Sequence, residues 1–131
     1  MQTIRDDIVY NSDMYKVEKW PHPYAPNAAM LRLVLNNEGY IVYQWMDQPG
    51  AFYGSHKHET DQSHWVVSGC IEITVNGITS QLTAGDRDLM PAETIHTARV
   101  IGNEPVLYLI GEMPPAKPSR KRTTKKKRPA E

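Results

Sequence analysis

Three imidazoles define the chemistry open to this chain. His56 and His58 form an HxH pair. On a β-strand, residues i and i+2 point to one face, so both rings project the same way and can share one ion. The same parity, continued without a bulge, brings Gln62 and His64 to that face. His96 lies in a second strand-like run, Thr94 to Val100. Imidazole suits several transition metals, so the expected cofactor is one divalent ion among Fe, Ni, Cu, Zn or Mn, and the ligand types do not choose between them. Open positions on Fe(II) activate O2, whereas Zn or Ni serves isomerase, lyase or hydrolytic chemistry.

Other side chains can complete such a site. His64 could act as a general base, as a hydrogen-bond partner for substrate or as an alternative ligand. It could equally face outward or be a hydrogen-bonded core histidine. Tyr43, Trp45, Phe52 and Tyr108 are the candidate substrate-binding residues, with Tyr53 and Met90 as further large side chains able to line a cavity. An aromatic lining with a few polar groups suits a small organic ligand. Arg32, Arg87 and Arg99 are the candidate anion partners, each also readable as a solvated surface residue. Glu93 reads as a turn residue near His96. The single cysteine, Cys70, excludes an intramolecular disulfide and a cysteine-based zinc site.

The elements that must position these residues read as strands. Gly and Pro punctuate the chain so often that little room remains for helices. Between the breaks lie β-branched and aromatic runs: Tyr40 to Met46, Ile71 to Val75, Ile78 to Thr83, Thr94 to Ile101 and Val106 to Ile110. Asn76-Gly77 separates two of them and suits a two-residue type I′ turn, whose central residues both need positive φ. Met30 to Leu35 reads as a strand, or as part of a short helix over Ala28 to Asn37. About eight to ten short strands predict an all-β sandwich or barrel.

These residues resemble a family. Gly50, five residues, His56, one residue, His58, three residues, Gln62, six residues and Gly69 are similar to the first motif of the cupins. Gly85, five residues, Pro91 and then His96 are similar to the second. The family's usual Glu is Gln62 here, its usual Gly two residues after Pro91 is Glu93, and its usual Asn four residues after His96 is Val100. The resemblance covers about residues 30–112 and implies a double-stranded β-helix, a small jelly-roll barrel holding a metal. It maps His56, His58 and His96 onto three histidine ligands and Gln62 onto the carboxylate ligand. Three imidazoles and an amide are all neutral, so the ion would keep its full charge and favour an anionic ligand. Metal occupancy should fall below about pH 6, because the ligands must be neutral to bind.

Composition divides the chain. Its 131 residues give room for one domain. Residues 1–113 hold 7 Lys/Arg against 14 Asp/Glu, while residues 114–131 hold 8 Lys/Arg against Glu131 alone. The expected organisation is an acidic barrel over 1–113 and a disordered Lys/Arg-rich tail over 114–131, which lacks the apolar residues to offset ordering. The tail could bind polyanions non-specifically, or fold over the acidic body. No apolar run approaches the ~20 residues of a membrane span, and Arg5, Asp6 and Asp7 stand where a signal peptide needs apolar residues. A cytoplasmic protein is therefore expected, and the family resemblance implies a homodimer. The expected function is a metal-dependent enzyme, dioxygenase-like, on a small organic substrate inside the barrel, with an anionic one favoured. Isomerase or lyase chemistry is the runner-up. The alternatives are a non-catalytic cupin that senses a small ligand or metal, and a nucleic-acid-associated protein working through its tail.

Overall fold

The computed structural model describes residues 14–115. The elements are β1 (Lys16–Glu18), α1 (Ala28–Asn37), β2 (Ile41–Asp47), β3 (Phe52–His56), β4 (Gln62–Ser68), β5 (Ile71–Val75), β6 (Ile78–Leu82), β7 (Arg87–Leu89), β8 (His96–Val100) and β9 (Val106–Glu112). They form two antiparallel sheets, β1-β7-β4-β9-β2 and β3-β8-β5-β6. This is the all-β double-stranded β-helix that the sequence predicts. The expected basic tail lies, beyond Pro114-Pro115, outside the described residues.

Period-two alternation builds the barrel. Val66, Ile71, Ile73, Met90, Ala98, Val100 and Tyr108 are among the buried residues that fill it between the sheets. On β4 and β9 the alternate residues Trp65 and Leu109 point to the opposite side, where Leu31 and Leu35 of α1 cover them. Burial on both faces explains why five consecutive residues of β4, Gln62 to Val66, are buried.

Residues 28–37 resolve as the helical alternative. The Asn27 side chain accepts the Met30 N–H at 3.0 Å, an N-cap, and Leu31 and Leu35 lie four apart on the buried stripe. At the other end Glu38 meets Arg87, whose two terminal nitrogens donate to its carboxylate at 2.8 and 3.0 Å. Arg87 also donates to the Ser63 hydroxyl at 3.0 Å and lies 4.3 Å over the Trp65 ring. It is buried and ties helix to sheet, so it is neither a surface residue nor an anion site. Asn76 and Gly77 both take positive φ, 52° and 77°, joining β5 to β6 as expected. The three-residue strands β1 and β7 had no alternation long enough to read.

Candidate metal centre and cavity

Sheet register decides which side chains meet. His56 pairs with His96 across β3 and β8, and Val75 of β5 lies on the far side of His96. Tyr53 pairs with Ala98. Tyr53 and His56 are three residues apart and would fall on opposite faces of a regular strand. An irregularity between them shifts the register, so both face inward.

His58 reaches the same point by another route. It lies beyond the end of β3, in a loop, so the HxH pair is not carried on one strand as expected. The Glu93 N–H donates to the His58 carbonyl at 2.8 Å, and the Asp61 carboxylate accepts the Ala92 N–H at 2.8 Å. These bonds staple the 57–61 loop to the turn that precedes His96. Glu93 holds φ +68°, a left-handed conformation that explains why this position is usually glycine in the family.

The three imidazoles converge. One nitrogen from each of His56, His58 and His96 lies within 4.8 Å of the others. His56 Nδ1 lies 2.6 Å from the Gly54 carbonyl, and His96 Nδ1 lies 2.9 Å from the Thr94 carbonyl. A carbonyl only accepts, so Nδ1 carries the proton in both rings and Nε2 keeps its lone pair. This is the usual arrangement behind a metal-bound histidine. Burial, with repulsion from His96, His56 and His64, pushes the His58 pKa down to about 4. Burial also lowers His96, the Thr94 hydrogen bond opposing it in part. Both shifts favour the neutral, metal-binding form of His58 and His96, and three converging imidazoles fit a divalent transition metal.

Gln62 and His64 flank this cluster from β4. Gln62 is only 5% exposed, and its backbone exchanges hydrogen bonds with Met90, each 2.8 Å long. Its antiparallel partner on β9 is Glu112, a cavity-lining carboxylate not singled out from sequence. His64 points inward, with its Nδ1 3.1 Å from both oxygens of Asp88. Asp88 is fully buried and also accepts the His64 backbone N–H at 2.7 Å and the Tyr15 hydroxyl at 2.9 Å. Burial alone would lower the His64 pKa, but the Asp88 charge and hydrogen bond raise it. Asp88 was missed because it lies 24 residues from its partner, and an acidic residue in a short strand carries no inward signal.

A cavity of about 690 Å³ opens from the histidines. Tyr43, Trp45, Tyr53 and Tyr108 line it, as do Ile71, Ile73 and Ile110. Phe52 does not. It alternates with Tyr53 and faces away, with the Arg99 guanidinium 5.1 Å from its ring. Met90 is a core residue outside this cavity.

Residues 43–111 match the model of the Cupin domain family. The chain belongs to the cupin family. Among solved structures, this cupin is similar to an uncharacterized conserved protein with a double-stranded beta-helix domain from Klebsiella pneumoniae. The identity is 32% and the TM-score 0.52, over 58% of this chain and 68% of that one. A structure of the DMSP lyases RdDddP and RnDddQII shares 27% identity at a TM-score of 0.50, over 56% of this chain and 37% of that one. A predicted oxalate decarboxylase from Thermotoga maritima shares the fold at 22% identity and a TM-score of 0.52, over 63% and 72% of the two chains. No curated protein matches the chain. Among the described residues, no helix is long and apolar enough to cross a membrane.

Proposed function

We propose that this cupin is a metal-dependent enzyme, dioxygenase-like in its chemistry, acting on a small organic substrate inside the barrel. The convergence of His56, His58 and His96 at the cavity carries this reading. One divalent transition metal, Fe, Ni, Cu, Zn or Mn, would be held by these histidines with Gln62 as fourth donor. Bound there, it supplies Lewis acidity or, as Fe(II), oxygen activation. Because all four donors are neutral, they leave the positive charge uncompensated and favour an anionic head group on the substrate. Asp88 takes one side of the His64 ring, so His64 offers Nε2 to the cavity as the group that moves a proton. Tyr43, Trp45, Tyr53 and Tyr108 hold the organic body and exclude water.

Lyase chemistry is the second reading. It is favoured by the likeness to the DMSP lyases and by a histidine–carboxylate pair beside the metal position, suited to removing a proton. In either case residues 1–113 form the working barrel as a homodimer, and residues 114–131 bind polyanions through charge alone.

Metal content by inductively coupled plasma mass spectrometry tests the proposal, with wild type beside His56→Ala and His96→Ala. Near-stoichiometric metal that is lost in both variants, with O2 uptake on a substrate panel, is expected. Metal and turnover without O2 uptake favour the lyase reading. No metal after reconstitution with Fe(II), Ni(II), Cu(II) and Zn(II) overturns both.

A further inference from the structure

One carboxylate organises the aromatic end of the cavity. Asp47, the last residue of β2, accepts the Trp45 indole N–H at 3.2 Å and the Tyr53 hydroxyl at 2.8 Å on Oδ1. Its Oδ2 accepts the Tyr108 hydroxyl at 2.8 Å. The three rings come from β2, β3 and β9, so Asp47 joins the edges of the two sheets. Burial, and then the bond to Asp47, raises the pKa of both tyrosines, which therefore stay protonated as donors.

This arrangement has a chemical consequence. All three polar tips are turned onto Asp47, so the wall presents ring faces and edges to the cavity and no free donor. Trp45 and Tyr53 are nonetheless 51% and 39% exposed, an aromatic surface without a covering partner among the described residues. The Asp47 charge also disfavours an anionic group at this end of the cavity. The histidines lie one pleat away: Tyr53 sits opposite Ala98, and His56 opposite His96, two residues along β8. Two residues of antiparallel strand span about 7 Å. That is roughly the length of one six-membered ring bearing a carboxylate.

We propose that the cavity selects a ligand with an aromatic ring, held against the Trp45, Tyr53 and Tyr108 wall, and that Asp47 is the specificity-determining residue that locks this wall. The placement of the ligand's anionic head beside the histidines rests on the metal-site reading above; the ring's placement does not. Edge-to-face and offset contacts between aromatic rings favour an aromatic over an alicyclic ligand of equal size by about three- to tenfold.

The probes are benzoate and cyclohexanecarboxylate, titrated into the full chain with and without bound zinc. Binding is followed by the indole N–H resonances of the three tryptophans, with Trp45 assigned from Trp45→Phe. Benzoate should shift the Trp45 resonance while Trp20 and Trp65 stay still, and should bind about three- to tenfold more tightly than cyclohexanecarboxylate. Asp47→Ala should reduce that preference to less than about twofold, and Asp47→Asn, which keeps one acceptor oxygen, should fall between. A Trp45 signal that ignores benzoate, or equal binding of the two acids by wild type, overturns the proposal, and the second result needs no variant. A benzoate response in protein that takes up none of Fe(II), Ni(II), Cu(II) and Zn(II) sinks the metal reading and leaves the aromatic wall standing. Zinc uptake with no benzoate response does the reverse.

Discussion

Asp88 shows how much one side chain can carry. Its buried carboxylate satisfies the Tyr15 hydroxyl and two donors of His64. Asp88→Ala would leave all three without their acceptor. Breaking a buried pair in this way costs about 3–5 kcal/mol, and urea denaturation should show a loss of that size. Asp88→Asn, which keeps an acceptor oxygen, should lose less. The pair also has a pH signature. The folded His64 pKa is raised above its unfolded value, so its stabilisation is fully present below about pH 6.5 and is lost as pH climbs through the folded value. Wild type should therefore lose stability on the alkaline side of that pH, and His64→Gln should lack this part of the slope.

At the scale of elements, two backbone positions decide whether the loops reach the site. Glu93 holds a left-handed φ of 68° in the turn that fixes His58, and its ion pair with Lys57 at 2.9 Å is exposed. Such pairs contribute little, whereas relief of the backbone strain is worth about 1 kcal/mol or more. Glu93→Gly should thus raise the unfolding free energy by roughly 0.5–1 kcal/mol, although it removes a salt bridge. A decrease would show that the turn is unstrained. Gly69 joins β4 to β5 at φ +85°, and an added Cβ would lie against the Pro105 carbonyl and 2.7 Å from the Val106 Cα. Both are backbone atoms that cannot swing away. Gly69→Ala should cost at least about 2 kcal/mol in the same denaturation assay, which accounts for glycine at this motif position.

The whole molecule should respond to acid through the site and through Asp86. In the metal-free protein His58 and His96 have lowered pKa values, so the unfolded chain binds more protons below about pH 6.5. Stability should fall from there towards pH 4. Asp86 extends the loss. Burial would raise its pKa, but N–H groups of Thr83 and Trp20, with Lys19 and the Thr83 hydroxyl, outweigh burial and lower it. Its stabilisation is present above the ordinary carboxylate value of about 3.9 and disappears as pH falls through the depressed one. Thermal melts from pH 7 to pH 3 check the sign, and His58→Gln should flatten the upper part of the slope. The proposed homodimer is checked by light scattering at micromolar concentration, where a monomer mass counts against it.

Local order was legible because local spacing encodes it. The Asn76-Gly77 hairpin, the alternation of β5 and β9, the glycines at 50, 69 and 85 and the three histidines all follow from residue types and short separations. The sequence by itself determined an all-β cupin barrel and which imidazoles could meet. Periodicity gives the face of a strand, but it does not say which strand lies opposite or where a register slips. Only the tertiary structure turned Tyr53 and His56 to one side, moved His58 onto a loop and faced Phe52 outward. Packing also joined His64 to Asp88 across 24 residues and drew Tyr108 to Asp47 across 61. Those partners are chosen by the register of two whole sheets, and no short stretch of the chain contains that information.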